Sequence, residues 1–273
     1  MPKLMVVIPT YNEAENIEQM ADALFALPID DLNLLVVDDN SPDGTGKIAD
    51  QLAVRYAGRM FVLHRKEKSG LGPSYIAGFK QAIALGADYI LQMDADFSHQ
   101  PRYIPQMLET LEHGADMVLG SRFVRGGSVD PSWGIYRKLL SWWANRLYVP
   151  TLLHIPVFDA TGGFRLWRSE TLIGLDLERV NSSGYVFQVE MAYLTVRLGY
   201  KVVETPIHFP DRQRGESKMD SRIAIEAALR VWDIRSRHHS LNPLQRRTKP
   251  YTVADTVQLH GANIPQPQAE TSE

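Results

Sequence analysis

A short apolar run that stops abruptly on two carboxylates one residue apart constrains this chain more than any other stretch. Tyr89-Ile90-Leu91-Gln92-Met93 leads directly into Asp94-Ala95-Asp96-Phe97-Ser98-His99. The run has the length of a buried strand, so the acids are delivered to a sheet edge. If the extended geometry continues, Asp94 and Asp96 project to the same side, because side chains alternate with period two. Two hard oxygen donors then converge on a point that suits Mg²⁺ or Mn²⁺. Mg²⁺ in particular is held by one or two carboxylates, with the other positions left to water and substrate phosphate. An open coordination shell of that kind implies a phosphate-bearing substrate. Taken alone, the same residues also describe a polar turn after a strand, since Asp is a common turn former.

The segments before it shift the balance. Leu4-Met5-Val6-Val7-Ile8 is a continuous apolar run closed by Pro9, as expected of a strand buried on both faces of a parallel sheet. From Glu13 to Leu27, Ile17, Met20, Ala21, Leu24 and Phe25 recur at helical spacing, and Asn12 with Glu15 reads as a reciprocal cap. The unit repeats. Leu32 to Val37 ends in Asp38-Asp39-Asn40-Ser41-Pro42-Asp43-Gly44 before a helix to about Tyr56, and Met60 to Leu63 precedes a helix from Gly70 to Leu85. The order β-α-β-α-β-α-β predicts a doubly wound α/β sheet with helices on both faces. In such sheets ligands bind beyond the carboxyl ends of the strands, where the strand order reverses. Pro9-Thr10-Tyr11, Asp38-Asp39 and Asp94-Ala95-Asp96 all lie at such ends. No G-x-G-x-x-G follows the first strand and no Walker-type G-x-x-x-x-G-K-[ST] is present, which argues against a dinucleotide enzyme or a P-loop NTPase.

Beyond residue 100, a helix from Pro101 to about His113 leads to a strand at Asp116 to Gly120. Arg122 follows at the strand end, where its planar guanidinium is shaped for phosphate. Trp133 to Leu153 mixes Trp142, Trp143 and several leucines with Arg137, Lys138 and Arg146, which suits either an interfacial helix at the level of lipid headgroups or an ordinary packing helix. In Asp159-Ala160-Thr161-Gly162-Gly163-Phe164-Arg165, the paired glycines mark a close backbone approach and Asp159 can pair with Arg165. Tyr185 to Leu198 is apolar nearly all round, and Glu190 within it needs a partner. It either serves as a base toward an acceptor or, the preferred reading, holds a neighbouring arginine. After a last strand at Lys201 to Thr205, the polar loop 211–218 carries Arg212, Arg214 and Lys218. Arg212 and Lys218 are placed to close over a diphosphate. Ser217 caps a helix from Met219 to about Arg237, striped by Ile223, Ala227, Val231 and Ile234.

Composition sets limits on all of this. The net charge of −3 excludes a general nucleic-acid binder, although residues 211–249 are locally basic, with ten Lys and Arg against five Asp and Glu. The absence of cysteine removes disulfides, thiol catalysis and thiolate metal sites, and points to a reducing cytosol. The N-terminus reads straight into a strand without a signal-peptide pattern. No apolar run approaches the roughly 20 residues of a membrane span. The expected organisation is a catalytic domain over residues 1–216, a C-terminal amphipathic helix over 217–240 packed on the domain or the membrane surface, and a polar, flexible tail over 241–273.

V-V-I-P-T-Y-N-E at 6–13, V-V-D-D-N-S-P-D-G-T at 36–45, M-D-A-D-F-S-H at 93–99, G-S-R at 120–122, T-G-G-F-R at 161–165 and R-Q-R-G-E-S-K at 212–218 together resemble the polyprenyl- and dolichyl-phosphate mannose synthases, inverting glycosyltransferases of GT-A fold. The resemblance covers residues 3 to 238. It implies a Rossmann-like mixed sheet, GDP-mannose as donor, a divalent metal (Mg²⁺ or Mn²⁺), and a polyprenyl-phosphate acceptor at the cytoplasmic face of a membrane. Carried over, Pro9, Tyr11, Glu13, Val37 and Asp39 cradle the guanosine, while Asp94, Ala95 and Asp96 hold nucleotide, sugar and metal. Ser98 stands where some members have a glutamine metal ligand. Arg122, Arg212 and Lys218 match the phosphate-binding and loop-closing cations, so that Asp96, Arg122 and Lys218 form the catalytic set. Some members carry fused C-terminal transmembrane helices. This chain ends in a polar tail, so membrane contact falls to amphipathic segments or to a partner subunit.

An acceptor phosphate is already anionic and attacks without losing a proton, so no strong base is needed. Competing readings keep the fold with UDP-glucose as donor, or transfer to a sugar hydroxyl with Glu190 as base. Others make the chain a response-regulator-like domain built on Val37-Asp38-Asp39, or a non-catalytic binding subunit of the same family.

Overall fold

The computed structural model describes residues 2–211 and 221–256, apart from the side chains of Tyr185 and residues 221–227. Arg212, Arg214, Ser217 and Lys218 lie outside the described residues, as do the tail from 257 onward and the expected boundary at 216. The N-terminal part alternates as the apolar runs predict: Leu4–Thr10 (β1), Ile17–Phe25 (α1), Leu32–Asp38 (β2), Thr45–Arg55 (α2), Met60–His64 (β3), Leu71–Ala84 (α3) and Tyr89–Gln92 (β4). Then follow Ile104–Glu112 (α4), entered through a 3₁₀ turn at Pro101–Tyr103, Met117–Ser121 (β5) and the short Ser128–Val129 (β6). A helical stretch comes next: Ile135–Trp143 (α5), a π turn at Ala144–Tyr148, and Val149–Leu153 (α6). Arg165–Arg168 (β7), Ser169–Leu175 (α7), Tyr185–Arg197 (α8), Val202–Pro206 (β8), His208–Phe209 (β9) and Ser221–His238 (α9) complete the fold.

Seven strands form one sheet in the order β3-β2-β1-β4-β7-β5-β8, and β6 pairs with β9 apart from it. β1 lies parallel to both β2 and β4, so the strand order reverses at β1 and β4, which places the predicted crevice at their carboxyl ends. Apolar side chains alternate between two cores, Val7, Val37 and Tyr75 on one face and Val6, Val36 and Leu91 on the other, as central strands buried on both sides require.

The sheet is mixed, as the resemblance implies: β7, which the apolar runs did not mark, runs antiparallel to both β4 and β5. Its sequence, Arg-Leu-Trp-Arg, has a cation at each end and carries no extended apolar signal. The strand is buried nonetheless because carbonyls of adjacent turns satisfy the guanidinium groups. Arg165 donates to Gly162 O (2.9 Å) and Ala160 O (2.7 Å), and Arg168 to Ala115 O (2.8 Å) and Leu111 O (2.7 Å).

Three expectations are revised. The Asn12–Glu15 cap is not formed. Asn12 is left-handed (φ 64°) and donates its N–H to Ser41, Glu13 accepts from Asn16 Nδ2, and α1 begins only at Ile17. An ordinary packing role suits α6, whose Val149, Leu152 and Leu153 are buried, but no residue of α5 is buried. Residues 241–256, expected to belong to a flexible polar tail, instead lie along the domain. Tyr251 accepts the N–H of Leu177, Arg247 N–H donates to Gly174 O, and Arg246 donates to the C-terminal carbonyls Leu198 O and Gly199 O of α8. Arginines on helix-end carbonyls hold this segment where an apolar stripe is missing.

Glu190 anchors α9. Fully buried on α8, it accepts from Arg237 Nη1 (2.6 Å) and His238 Nε2 (2.8 Å) through Oε1, and from the N–H groups of Asn181 and Ser182 through Oε2. The arginine-holding role preferred for Glu190 is the one found. Burial pushes this carboxyl up, but the bonds from His238, Ser182 and Arg237 outweigh it and hold it below the ordinary glutamate value. A depressed folded pKa contributes stability above the unfolded value near ~4.3, which is lost as pH falls through the folded value. Glu190→Ala is therefore expected to cost about 3 kcal/mol, because it strands two buried partners, and to flatten the acid limb below pH ~4.3. Urea unfolding at neutral and acid pH checks both; unchanged midpoints would show that α9 is held elsewhere.

Candidate active site

The site is assembled from strand ends brought to one edge. Parallel pairing sets the ends of β1, β2 and β3 in step: Thr10 faces Asp38, Asp38 faces His64, and Asp39 N–H donates to Thr10 O. β5 is parallel to β4 across the antiparallel β7, so Arg122, the 159–165 loop and Asp94 to Asp96 share the same edge.

The two acids sit on a turn, because the strand ends too early for alternation to pair them. β4 ends at Gln92, and the chain bends through 95–99 with Phe97 at φ 61°. Asp96 Oδ1 closes the turn by accepting from Ser98 N–H (3.0 Å) and Ser98 Oγ (2.5 Å). Asp94 Oδ1 accepts from the hydroxyl of Tyr75 (3.0 Å), and Asp94 N–H donates to His99 Nδ1 (2.9 Å), so the neutral His99 ring carries its proton on Nε2. Tyr75 is fully buried. Its hydroxyl is pushed well above the ordinary tyrosine value by burial first, then by the charge and hydrogen bond of Asp94 and the charge of Asp96.

Gly78 is what lets Tyr75 reach them. A Cβ there would lie 2.4 Å from Val7 Cγ1 and 3.0 Å from Val37 Cγ2, so its absence brings α3 down onto β1 and β2 and slides Tyr75, one turn earlier, beneath the end of β4. Behind the acids, His99 stacks on Phe164 (5.2 Å between centroids) and Gln92 bonds to Gln188 (2.8 Å). Arg165 is wholly buried, and burial lowers its pKa to about 9 despite the nearby charge of Asp159.

The expected nucleoside cradle is partly exposed and partly sealed. Tyr11 is exposed, with Lys68 Nζ 3.7 Å over its ring. Pro9 and Glu13 are half-buried, and Glu13 N–H donates to Thr45 Oγ1 (2.9 Å). Val37 lies near the carboxyl end of β2 with its side chain fully buried in the core, so what it offers a ligand is its backbone. Asp39 is buried and held by Arg65 Nη1 (2.7 Å) and Ser74 Oγ (2.8 Å). Asp38 is spent on the local turn, accepting from Thr10 Oγ1 and from Ser41. Ala95 is buried between the two acids in sequence.

Arg122 does stand at the predicted strand end, but with a partner the sequence did not assign to it. Asp159, not exposed at all, receives Arg122 Nε (2.8 Å), Nη2 (2.5 Å) and backbone N–H (2.8 Å), and Thr161 Oγ1 accepts from the same Nη2 (3.0 Å). The Asp159–Arg165 hydrogen-bonded pair is thereby replaced. Arg122 presents an oriented guanidinium whose charge is largely compensated.

Two hard carboxylates beside a buried phenol form a donor set that fits Mg²⁺ or Mn²⁺. Among the described residues, no group of three or more His, Asp or Glu is arranged to hold a metal. Asp94 and Asp96 are the two residues of the turn that could hold one. Tyr75 and His99 were not singled out from the sequence. Tyr75 reads as core at its helical spacing, and the only cue was that a buried tyrosine hydroxyl needs a partner.

Residues 5–174 match the family profile described as Glycosyl transferase family 2. The undecaprenyl-phosphate mannosyltransferase of Micrococcus luteus is 44% identical over 242 residues, which cover 88% of this chain and 97% of that protein. The polyprenol monophosphomannose synthase of Mycolicibacterium smegmatis is 42% identical over 238 residues, covering 86% of this chain and 88% of that one. A crystal structure of glucosyl-3-phosphoglycerate synthase from Mycobacterium tuberculosis with Mn²⁺ and UDP-glucose shares the fold, with a TM-score of 0.57 and 18% identity over 87% of this chain and 79% of that one. The match over more than half the chain and these near full-length identities establish that the chain belongs to glycosyl transferase family 2 and is a hexosyltransferase of GT-A fold.

Proposed function

We propose that the chain transfers mannose from GDP-mannose to a polyprenyl phosphate, with inversion, at the cytoplasmic face of a membrane. The observation that carries this reading is the turn bearing Asp94 and Asp96 at the point where strand order reverses, with Asp94 bonded to the buried Tyr75. The two relatives above, named for mannosyl transfer to such lipids, supply the substrate class.

Pro9, Tyr11, Glu13 and Asp39 flank the guanosine, with Tyr11 offering an exposed ring for stacking. Asp94 and Asp96 hold a divalent cation, which when bound neutralises charge growing on the departing diphosphate. Ser98 serves through Asp96, fixing the carboxylate with its hydroxyl and N–H. Ala95 lines the turn that carries both acids. Arg122 meets a phosphate as an oriented donor, and Arg212 and Lys218 add cationic closure from outside the described residues. The acceptor phosphate attacks the anomeric carbon directly, because it is already anionic. Transfer to a neutral hydroxyl would need a base, and Glu190 does not serve: it is buried, and its carboxylate oxygens are taken up by α9 and by the N–H groups of residues 181–182.

Membrane contact rests on α5. Ile135, Tyr136, Leu139, Trp142 and Trp143 repeat at helical spacing and are all exposed, as are Leu147 on the π turn and Leu229 and Trp232 on α9, which packs against α6. Arg137, Lys138 and Arg146 stand among them. Indoles and leucines beside cations fit the headgroup level of a bilayer. No helix among the described residues is long and apolar enough to cross one. A partner subunit spanning the membrane is compatible with the same surface.

Asp96→Ala is expected to abolish mannosyl transfer from radiolabelled GDP-mannose to polyprenyl phosphate while leaving the thermal unfolding midpoint nearly unchanged; an active variant would remove the acids from the mechanism. With Mn²⁺ present, GDP is expected to raise that midpoint. Protection by UDP alone would select the glucosyl donor instead. Leu139→Ser combined with Trp142→Ser should release the chain from anionic lipid vesicles in flotation, and undiminished flotation would place membrane contact elsewhere.

A further inference from the structure

α5 and α6 are joined by a π turn, a rare conformation that widens one turn of a helix. Its one buried residue is polar. Asn145, 1% exposed, turns into the 159–163 loop, where its Oδ1 accepts from Thr161 N–H (3.0 Å) and its Nδ2 donates to Thr161 Oγ1 (2.9 Å). The same Nδ2 donates to Ser141 O (3.0 Å), one turn back on α5. Thr161 Oγ1 also accepts from Arg122 Nη2 (3.0 Å). A continuous chain of bonds therefore runs from the exposed apolar helix to the arginine in the crevice.

We propose that Asn145 is a positioning residue: it fixes Thr161 and, through the Thr161 hydroxyl, sets the plane in which Arg122 presents its guanidinium to phosphate. The phosphate contact rests on the function proposed above; the positioning does not.

The geometry explains why the chain of bonds is needed. Asp159 grips Arg122 on Nε and Nη2 and already compensates most of its charge. Thr161 adds no charge, so its bond is one of direction. Arg165 pins the loop that carries Asp159 and Thr161 from behind through Ala160 O and Gly162 O, and Asn145 pins it from the opposite side by bonding both the N–H and the hydroxyl of Thr161. A side-chain amide satisfies this donor and acceptor pair at once, whereas an apolar residue at 145 removes the acceptor of the Thr161 N–H and leaves the hydroxyl to Arg122 alone. A regular α turn spaces side chains differently, and the π turn is what brings residue 145 round to the loop.

The test uses the full chain with polyprenyl phosphate as acceptor. Thr161→Val keeps shape and removes the hydroxyl, and Thr161→Ser restores it. Thr161→Val and Asn145→Ala are each expected to raise the acceptor KM about tenfold, the scale of one lost hydrogen bond to a charged group, with donor KM little changed. Thr161→Ser should recover most of the loss, and the double variant should be no worse than either single one. A wild-type acceptor KM in Thr161→Val, equal damage in Thr161→Ser, or multiplying losses would each overturn the assignment. If the wild type shows no transfer, the function fails and the positioning is still read directly. Arg122 Nε–H, identified in ¹⁵N spectra by its loss in Arg122→Lys, should exchange slowly with water in wild type and Thr161→Ser, and fast in Thr161→Val and Asn145→Ala. Equal exchange in all four would overturn the proposal independently of turnover.

Discussion

Two carboxylates on one turn repel each other, and the site depends on what holds them together without neutralising them. Here the support is a buried phenol. Tyr75 donates to Asp94 and lies within the field of Asp96, while Ser98 fixes Asp96 from the far side. Both bonds come from neutral hydroxyls, so neither adds a positive charge to the turn. That arrangement depends in turn on packing: Gly78 lets α3 approach the sheet, and Tyr75 stacks between Phe79 and Phe187 at 5.6 and 6.0 Å. A site for a hard cation is thus placed by the same helix–sheet contact that forms the core.

The neighbouring charges follow a different rule. Asp39 is tied to Arg65 and Arg122 to Asp159, each pair largely buried. Lone charges at these depths would suffer a desolvation penalty of several kcal/mol, so each brings its counter-ion with it. These partners also set direction: a carboxylate held by Arg65 and Ser74, or a guanidinium held by Asp159 and Thr161, loses little orientational freedom when a ligand arrives. Preorganised donors of this kind stabilise developing charge better than mobile ones.

How much of this was legible in the sequence depended on whether the signal was local. β1, β2 and β4 are central strands, and central parallel strands appear as uninterrupted apolar runs ending in turn residues, so the crevice and its acids could be placed. β7 could not, because Arg165 and Arg168 owe their burial to carbonyls of segments far along the chain. The strap at 241–256 was missed for a similar reason, its hold being arginine on helix ends rather than an apolar stripe. Glu190 was readable as a residue in need of an arginine because a carboxylate amid an apolar helix admits few alternatives, although Arg237 itself is visible only in three dimensions. Val37 shows a limit of another kind, since a motif position does not reveal which face of the strand its side chain takes, here the core.

Under the proposed function, the exposed face of α5 bears on how an enzyme with no spanning helix among its described residues would serve an acceptor whose tail stays in lipid. A large buried anchor is unnecessary. Only the phosphate needs to reach the crevice, and the headgroup zone is where indoles, leucine side chains and arginines are each satisfied at once. Weak, reversible docking of this kind also lets a product carrying an unchanged lipid tail leave sideways within the bilayer. What such docking needs is a helix that stays rigid relative to the crevice, and α5 meets that need at its far end, where α6 is buried, Tyr148 donates to Ala228 O on α9, and α9 is in turn fixed by Glu190. The buried glutamate and the apolar face are therefore parts of one mechanical arrangement: the first holds the helix against which the second is braced.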